Sequence, residues 1–257
     1  NLNNLNPENV LSFSSKTTPI LAVLRKNLLD NKRTQIVCTE ELPNFFDVEI
    51  IQDIYGYNFD IKRVQKIEEV SEFDGSTIFI SQRDEISNFS LTQDIDFYMN
   101  TSTHLGSVLL INGEQNKNYI PAIQHVRRRE TIAMTPANCL IALKSFIGKS
   151  SFDYNTGKVE SEKALVSDSI ADISGTNTKS LVGSSGLSIQ YAIMMGLIHD
   201  AFENYKSKAI KFIVPPNCYG GTNDQARRVA ATLDNVEVVD LPVDGDNDMV
   251  QGIDFVL

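Results

Sequence analysis

Two stretches carry residue types that could do chemistry together: Gly183-Ser184-Ser185-Gly186, and Ile210 to Asp224, which reads IKFIVPPNCYGGTND. The first is a Ser/Gly turn that opens a strongly apolar run. The second is a short apolar run entering a Pro-Pro, Tyr and Gly-Gly loop. A helix starting at this turn presents unpaired backbone N–H groups and a partial positive charge, which favour a phosphate. Gly186 lets an anion reach the backbone, and the serines add hydroxyl donors. Tyr219 offers an aromatic face, and Gly220 and Gly221 remove bulk beside it, so a planar ring fits against the phenol. Together the two stretches suit a flat, phosphorylated ligand. Each also has a plainer use open to it. The turn suits an ordinary Ser N-cap beside a glycine that allows close helix packing, and the tyrosine suits a turn residue resting on a neighbouring loop.

Other chemistries fit less well. A serine-hydrolase elbow needs Gly two residues after the nucleophile, where Leu187 stands. A Walker loop needs Gly-Lys-Ser/Thr at a fixed spacing, and none follows. Cys38, Cys139 and Cys218 are odd in number and widely spaced, with neither a disulfide framework nor a metal-ligand spacing, which suits a reducing cytosol. His104, His125 and His199 lie far apart, so no His-based metal site is expected. A net charge of −10 repels phosphate backbones and makes nucleic acid a poor partner. The longest apolar stretch, Ala192 to Ile198, is too short to span a membrane, so a cytoplasmic protein is expected.

The elements that must position these residues read as α/β. Thr17-Thr18-Pro19 and the apolar spacing after it predict a capped helix. Gln35 to Cys38, Val48 to Tyr55, Thr77 to Ser81 and Ser107 to Ile111 read as strands. Ile61, Val64, Ile67 and Val70 recur at helical spacing. Arg127-Arg128-Arg129 form the one dense positive cluster of the sequence, followed by a helix from Pro136 to about Ile147. The arginines suit either an anion site or a solvated helix face neutralised by Glu130. Turn-rich Gly148 to Gly157 is the expected boundary. Beyond it come helix Val159–Ile173, helix Leu187–Tyr205, strand Ile210–Val214, helix Asn223–Leu233, strand Val236–Asp240 and a helix from Asp246. This alternation predicts a three-layer α/β/α sandwich with a mostly parallel sheet. Three regions follow: an N-terminal α/β region at 1–120, a helical connector at 121–150, and a ligand-binding part at 151–257.

The order Tyr154-Asn155-Thr156-Gly157, Ser184-Ser185-Gly186-Leu187, strand, then Asn217-Cys218-Tyr219-Gly220-Gly221-Thr222 resembles the cysteine/methionine-metabolism family of pyridoxal-phosphate enzymes, the cystathionine γ-synthases, cystathionine lyases and methionine γ-lyases. The resemblance covers about Ser151 to Leu257. It implies part of a fold-type-I large domain binding pyridoxal 5′-phosphate, with Ser185, Gly186 and Leu187 on the phosphate. It implies Tyr219 stacked on the ring and acting as the catalytic acid/base residue, and Tyr154 as a further cofactor contact. It also implies an amino-acid substrate, C–S or Cγ chemistry, and a homodimer or homotetramer. Two departures stand out. Thr156 occupies the place of the arginine in the family's Tyr-x-Arg clamp, leaving Arg127–Arg129 as possible substitutes. The family's Schiff-base lysine and ring-pairing aspartate fall downstream of the tyrosine loop, beyond Leu257, so the chain reads as an N-terminal portion. An aminotransferase, a cysteine desulfurase and a non-catalytic phosphate-binding module remain alternatives.

Overall fold

The computed structural model describes residues 6–83, 91–146, 159–205 and 208–241. The larger sheet is built from β1 (Val10–Phe13), β2 (Thr34–Cys38), β3 (Asp60–Arg63), β4 (Ser76–Gln82), β5 (Phe97–Ser102) and β6 (Gly106–Ile111), in the spatial order β1-β6-β5-β4-β2-β3. Strands β3, β2, β4 and β5 run parallel, while β6 is antiparallel to both β5 and β1. Short apolar runs such as Ile36-Val37 and Ile78-Phe79 stay buried on both sides, as parallel strands covered on both faces must. Alternation then sorts the side chains. Ile36, Ile78, Phe97 and Leu109 face a core completed by α1 (Thr18–Leu29) and α3 (Tyr119–Arg129). Val37, Phe79, Tyr98 and Leu110 face the opposite side, where Val64, Val70 and Ile95 cover them. Gly106 holds φ 102° in the β5–β6 turn, where a side chain would meet the Phe13 carbonyl.

Two expectations for this region are corrected. Residues Val48–Asp53 form helix α2, because Asp47 accepts a hydrogen bond from Ile50 N at 3.1 Å and so caps a helical turn that β-branched side chains alone do not favour. The Ile61–Val70 stretch is strand β3 followed by a 3-10 turn at Ile67–Glu69. Its three-residue spacing comes from Val64, Ile67 and Val70 folding under the sheet rather than from a helical stripe.

The second unit follows the expected alternation closely. After α4 (Pro136–Phe146), whose Asn138 reaches the Leu105 carbonyl of the first unit at 3.5 Å, it comprises α5 (Val159–Ser174), α6 (Gly186–Asn204), β7 (Ile210–Val214), α7 (Gly220–Ala230) and β8 (Val236–Asp240). Strands β7 and β8 pair in parallel with Ile210 opposite Val236. Met194, Met195 and Ile198 of α6 pack with Val214, Ala226, Val229 and Val236, and Ile54 of the first unit joins this core. The boundary at 148–157 and the helix from Asp246 lie outside the described residues. Both units are α/β, with sheets flanked by helices. Among the described residues no helix is long and apolar enough to cross a membrane.

Candidate functional site

The Ser/Gly turn folds into a helix N-terminus for a local reason. Ser185 adopts extended backbone (φ −158°, ψ 163°), and its hydroxyl accepts from Ser188 N at 3.1 Å. Ser188 Oγ reciprocates by accepting from Ser185 N at 2.9 Å, closing a capping box. Ser184 Oγ donates to Ser188 Oγ at 3.1 Å. The plainer N-cap use of the turn is therefore realised. It leaves the N–H groups of Gly186 and Leu187 in the first turn of α6 without helical acceptors. A Cβ built on Gly186 meets nothing within 4 Å, so the backbone there is open to approach.

The Tyr-Gly-Gly segment is a second helix start rather than the loop expected from sequence. Cys218 N donates to Pro215 O at 3.0 Å, turning the chain at the end of β7. Tyr219 is the N-cap of α7, and its carbonyl accepts from Thr222 N at 2.9 Å. The Tyr219 side chain caps nothing and is 69 % exposed, leaving the phenol open to solvent. Helix α6 enters β7 and α7 leaves it, so both N-termini lie at the carboxyl end of the β7–β8 pair, where parallel sheets hold ligands. Thr222 Oγ1 donates to Gln190 Oε1 at 2.9 Å and ties the two helices together.

Gly221 is where the site closes. A Cβ there would lie 2.5 Å from Tyr219 Cε1, 2.9 Å from an Arg129 guanidinium nitrogen and 3.1 Å from Leu187 Cδ1. Leu187, Tyr219 and Arg129 thus converge on one glycine backbone. Arg129 ends α3 and is held twice. Its carbonyl accepts from Gln225 Nε2 at 3.0 Å, and its Nε lies 3.6 Å from Asp224 Oδ2. Gln225, fully buried, also donates to the Leu187 carbonyl at 2.9 Å. Asp224 takes a further contact from His125 Nε2 at 2.8 Å. Two helix N-termini and one guanidinium therefore place positive potential at a common point, with Asp224 partly offsetting it.

Of the residues singled out from sequence, Leu187 and Tyr219 meet at Gly221, Ser185 and Gly186 precede Leu187 at the start of α6, and Tyr154 lies outside the described residues. The Arg127–Arg129 run divides its tasks. Arg127 donates to Ser12 O at 3.3 Å, while Arg129 faces Gly221. Glu130 does not neutralise the run. It is buried against Arg25, with Arg228 Nε at 3.9 Å. His125, Asp224 and Gln225 were not foreseen. Gln225 and Arg129 are separated by 96 positions, and no local pattern links residues so distant. No cluster of metal-ligating side chains occurs among the described residues.

No protein-family model matches the sequence, and no curated protein matches it. Among solved structures, the chain is similar to one described as "A Novel Mechanism of Sulfur Transfer Catalyzed by O-Acetylhomoserine Sulfhydrylase in Methionine Biosynthetic Pathway of Wolinella succinogenes". The identity is 10 %, covering 55 % of this chain and 56 % of that one, at a TM-score of 0.30. It is also similar to a "NIFS-LIKE PROTEIN" at 13 % identity, covering 57 % and 56 %, at a TM-score of 0.30. The chain spans about half the length of either structure. Likeness at this level carries no weight for activity.

Proposed function

We propose that the adjoining N-termini of α6 and α7, closed by Arg129, hold the phosphate of pyridoxal 5′-phosphate, with Tyr219 covering one face of its ring. The protein would be a fold-type-I enzyme making or breaking C–S or Cγ bonds in a sulfur-containing amino acid. The observation that carries this reading is the convergence of Tyr219, Arg129 and Leu187 on Gly221, whose lack of a side chain lets all three pack at one point beside the two helix N-termini.

Each residue then has a task. Backbone N–H groups of Gly186 and Leu187 donate to phosphate oxygens, and the Ser185 hydroxyl, which accepts from Ser188 N, keeps its own hydrogen for one more. Arg129 adds a charge-assisted donor in place of the arginine of the family's Tyr-x-Arg clamp, where this chain has Thr156. Gln225 keeps α3 and α6 in register, so that the guanidinium and the amides point to one place. Tyr219 presents its ring to the cofactor and its hydroxyl to a substrate proton. When bound, pyridoxal phosphate supplies the electron sink for the reaction. Tyr154 remains a proposed cofactor contact. Assembly into a homodimer or homotetramer belongs to the same proposal, supported by exposed Leu165, Val166 and Ile170 on α5.

The adjoining N-termini of α6 and α7 also suit a second reading, a non-catalytic module that binds a phosphorylated ligand. Equilibrium titration with pyridoxal phosphate and with pyridoxal tests the site. Preference for the phosphorylated form by about tenfold or more (about 1.4 kcal/mol), lost in Arg129→Gln, is the expected result, and equal affinity overturns it. Borohydride reduction with peptide mapping then tests the missing nucleophile: reversible binding without capture is expected, and covalent capture on a lysine of residues 1–257 overturns the expectation that none of them forms the Schiff base. Product formation from a sulfur-containing amino acid by the whole protein separates the enzyme from the module.

A further inference from the structure

His125, Asp224 and Arg129 form a chain of charges beside Gly221, drawn from two helices. His125 and Arg129 lie one turn apart on α3 and so share a face. Gly221, Asp224 and Gln225 recur at helical spacing on α7 and meet that face. Gln225 fixes the contact by donating to the Arg129 carbonyl at 3.0 Å.

One carboxylate oxygen serves both cations. His125 Nε2 lies 2.8 Å from Asp224 Oδ2, and Arg129 Nε lies 3.6 Å from the same atom. The first distance is that of a full hydrogen bond. The second is too long for one, so Arg129 is drawn to Asp224 by charge alone. A nitrogen at the outer end of its guanidinium stands beside Gly221.

The protonation of His125 sets how much of Asp224 is left for Arg129. An ionised carboxylate only accepts, so Nε2 carries the hydrogen of the 2.8 Å bond. A second proton enters at Nδ1, keeps that bond and makes the imidazole a cation. With His125 neutral, Asp224 offsets Arg129 and the three groups carry no net charge. With His125 protonated, a positive charge is left over next to two helix N-termini. The His125 and Arg129 side chains are 32 % and 31 % exposed, so solvent protons and a small anion can reach them.

The neighbouring elements do not cancel this change. Helix α6 carries no charged residue before His199. Arg128 of α3 and Arg228 of α7 are permanent cations, and Arg228 feels both Asp224 and Glu130. Glu130 is itself committed to Arg25 of α1. We infer that His125 is a proton-controlled switch on the anion site. Protonated, it takes up the charge of Asp224 and releases the Arg129 guanidinium to an anion at Gly221; neutral, it leaves Arg129 compensated. The inference rests on the α6–α7 reading for the place of the anion, and not for the identity of the ligand that carries it. By linkage, a bound anion also favours proton uptake at His125.

Amide NMR on the whole chain, titrated with sodium sulfate at constant ionic strength between about pH 5 and pH 8, tests the inference, because histidine changes charge in that range. Sulfate stays doubly ionised throughout, whereas a phosphate monoester titrates at about pH 6. Expected are saturable shifts at Gly186, Leu187 and Gly221, with an affinity about three- to tenfold higher at the acidic end. His125→Asn keeps an N–H for Asp224 but takes up no proton, so its affinity should match the parent's alkaline value at every pH. Asp224→Asn removes the compensating charge and should bind sulfate tightly at both ends. No saturable response in acid, an affinity that does not change with pH, or the same pH dependence in His125→Asn overturns the inference. Binding that is independent of pH yet lost in Arg129→Gln overturns the switch and leaves the α6–α7 anion site standing. The expected pH dependence without a preference for pyridoxal phosphate over pyridoxal supports the switch and removes the cofactor reading.

Discussion

Arg25 and Glu130 meet inside the protein as a bidentate ion pair, although they lie 105 positions apart, one on α1 and the other just past α3. The Arg25 head also donates to Tyr57 Oη at 3.3 Å and to Tyr191 Oη at 3.5 Å, so one guanidinium links the large sheet's helices to α6. Removing one partner strands the other charge in a dry interior. Glu130→Ala is expected to lose about 3–5 kcal/mol of stability in urea unfolding, and Arg25→Met with Glu130→Leu to recover most of it. Equal losses in the single and double variants would show that the pair is not the cause.

The same cluster sets an alkaline limit. Burial raises the Tyr57 and Tyr191 phenols, and raises Tyr55 to about 12. The folded state therefore holds these protons more tightly than the unfolded chain, whose tyrosines titrate near 10. Their contribution is whole below pH 10 and is lost as pH climbs toward 12. Stability followed by denaturant midpoint is expected to be flat into mildly alkaline solution and then to fall in that window, together with a late rise in tyrosinate absorbance. Tyr191→Phe should shallow the fall.

Gly186 and Gly221 make opposite predictions although both open helices. Alanine at 186 meets open space and should hold or slightly raise stability, by less than about 1 kcal/mol. Alanine at 221 intrudes on Tyr219, Arg129 and Leu187, whose outer ends can swing away. Gly221→Ala is therefore expected to fold yet bind pyridoxal phosphate at least about tenfold more weakly, as equilibrium titration would show.

Ser185 separates capping from ligation. Ser185→Ala should cost about 0.5–2 kcal/mol through loss of the capping box. Ser185→Asp restores the cap but sets a negative charge against an anion. Thermal stability close to that of the parent, with phosphate-dependent binding lost, is expected for the aspartate variant. Retained binding would move the phosphate elsewhere.

Gln225 is the fastener of the site. Leucine there leaves the Arg129 and Leu187 carbonyls without their donor at a buried point, and a loss of about 1–3 kcal/mol is expected. Hydrogen exchange should quicken in the first turn of α6 and the last turn of α3 before it does so in β7.

Local signals made several elements legible from sequence. The apolar runs of β2, β4, β7 and β8, the Thr-Pro start of α1 and the Ser/Gly start of α6 depend on neighbours within a few residues, so periodicity and capping suffice to place them. The same signals misplaced residues 48–55 and 61–70. There a single carboxylate cap or packing beneath the sheet outweighed intrinsic preference. Strand β5, FYMNTS, has little alternation of its own and is a strand because Ile78 and Ile111 pair on its two sides.

By itself, then, the sequence determined an α/β chain, a helix N-terminus at Ser185 and a tyrosine beside two glycines. Only the tertiary structure decided that α6 and α7 begin side by side and that Arg129 rather than its two neighbours reaches Gly221. Those outcomes depend on which surfaces bury together across about a hundred residues. That choice is made by packing and by the pairing of buried charges, which leave no periodic trace in the chain.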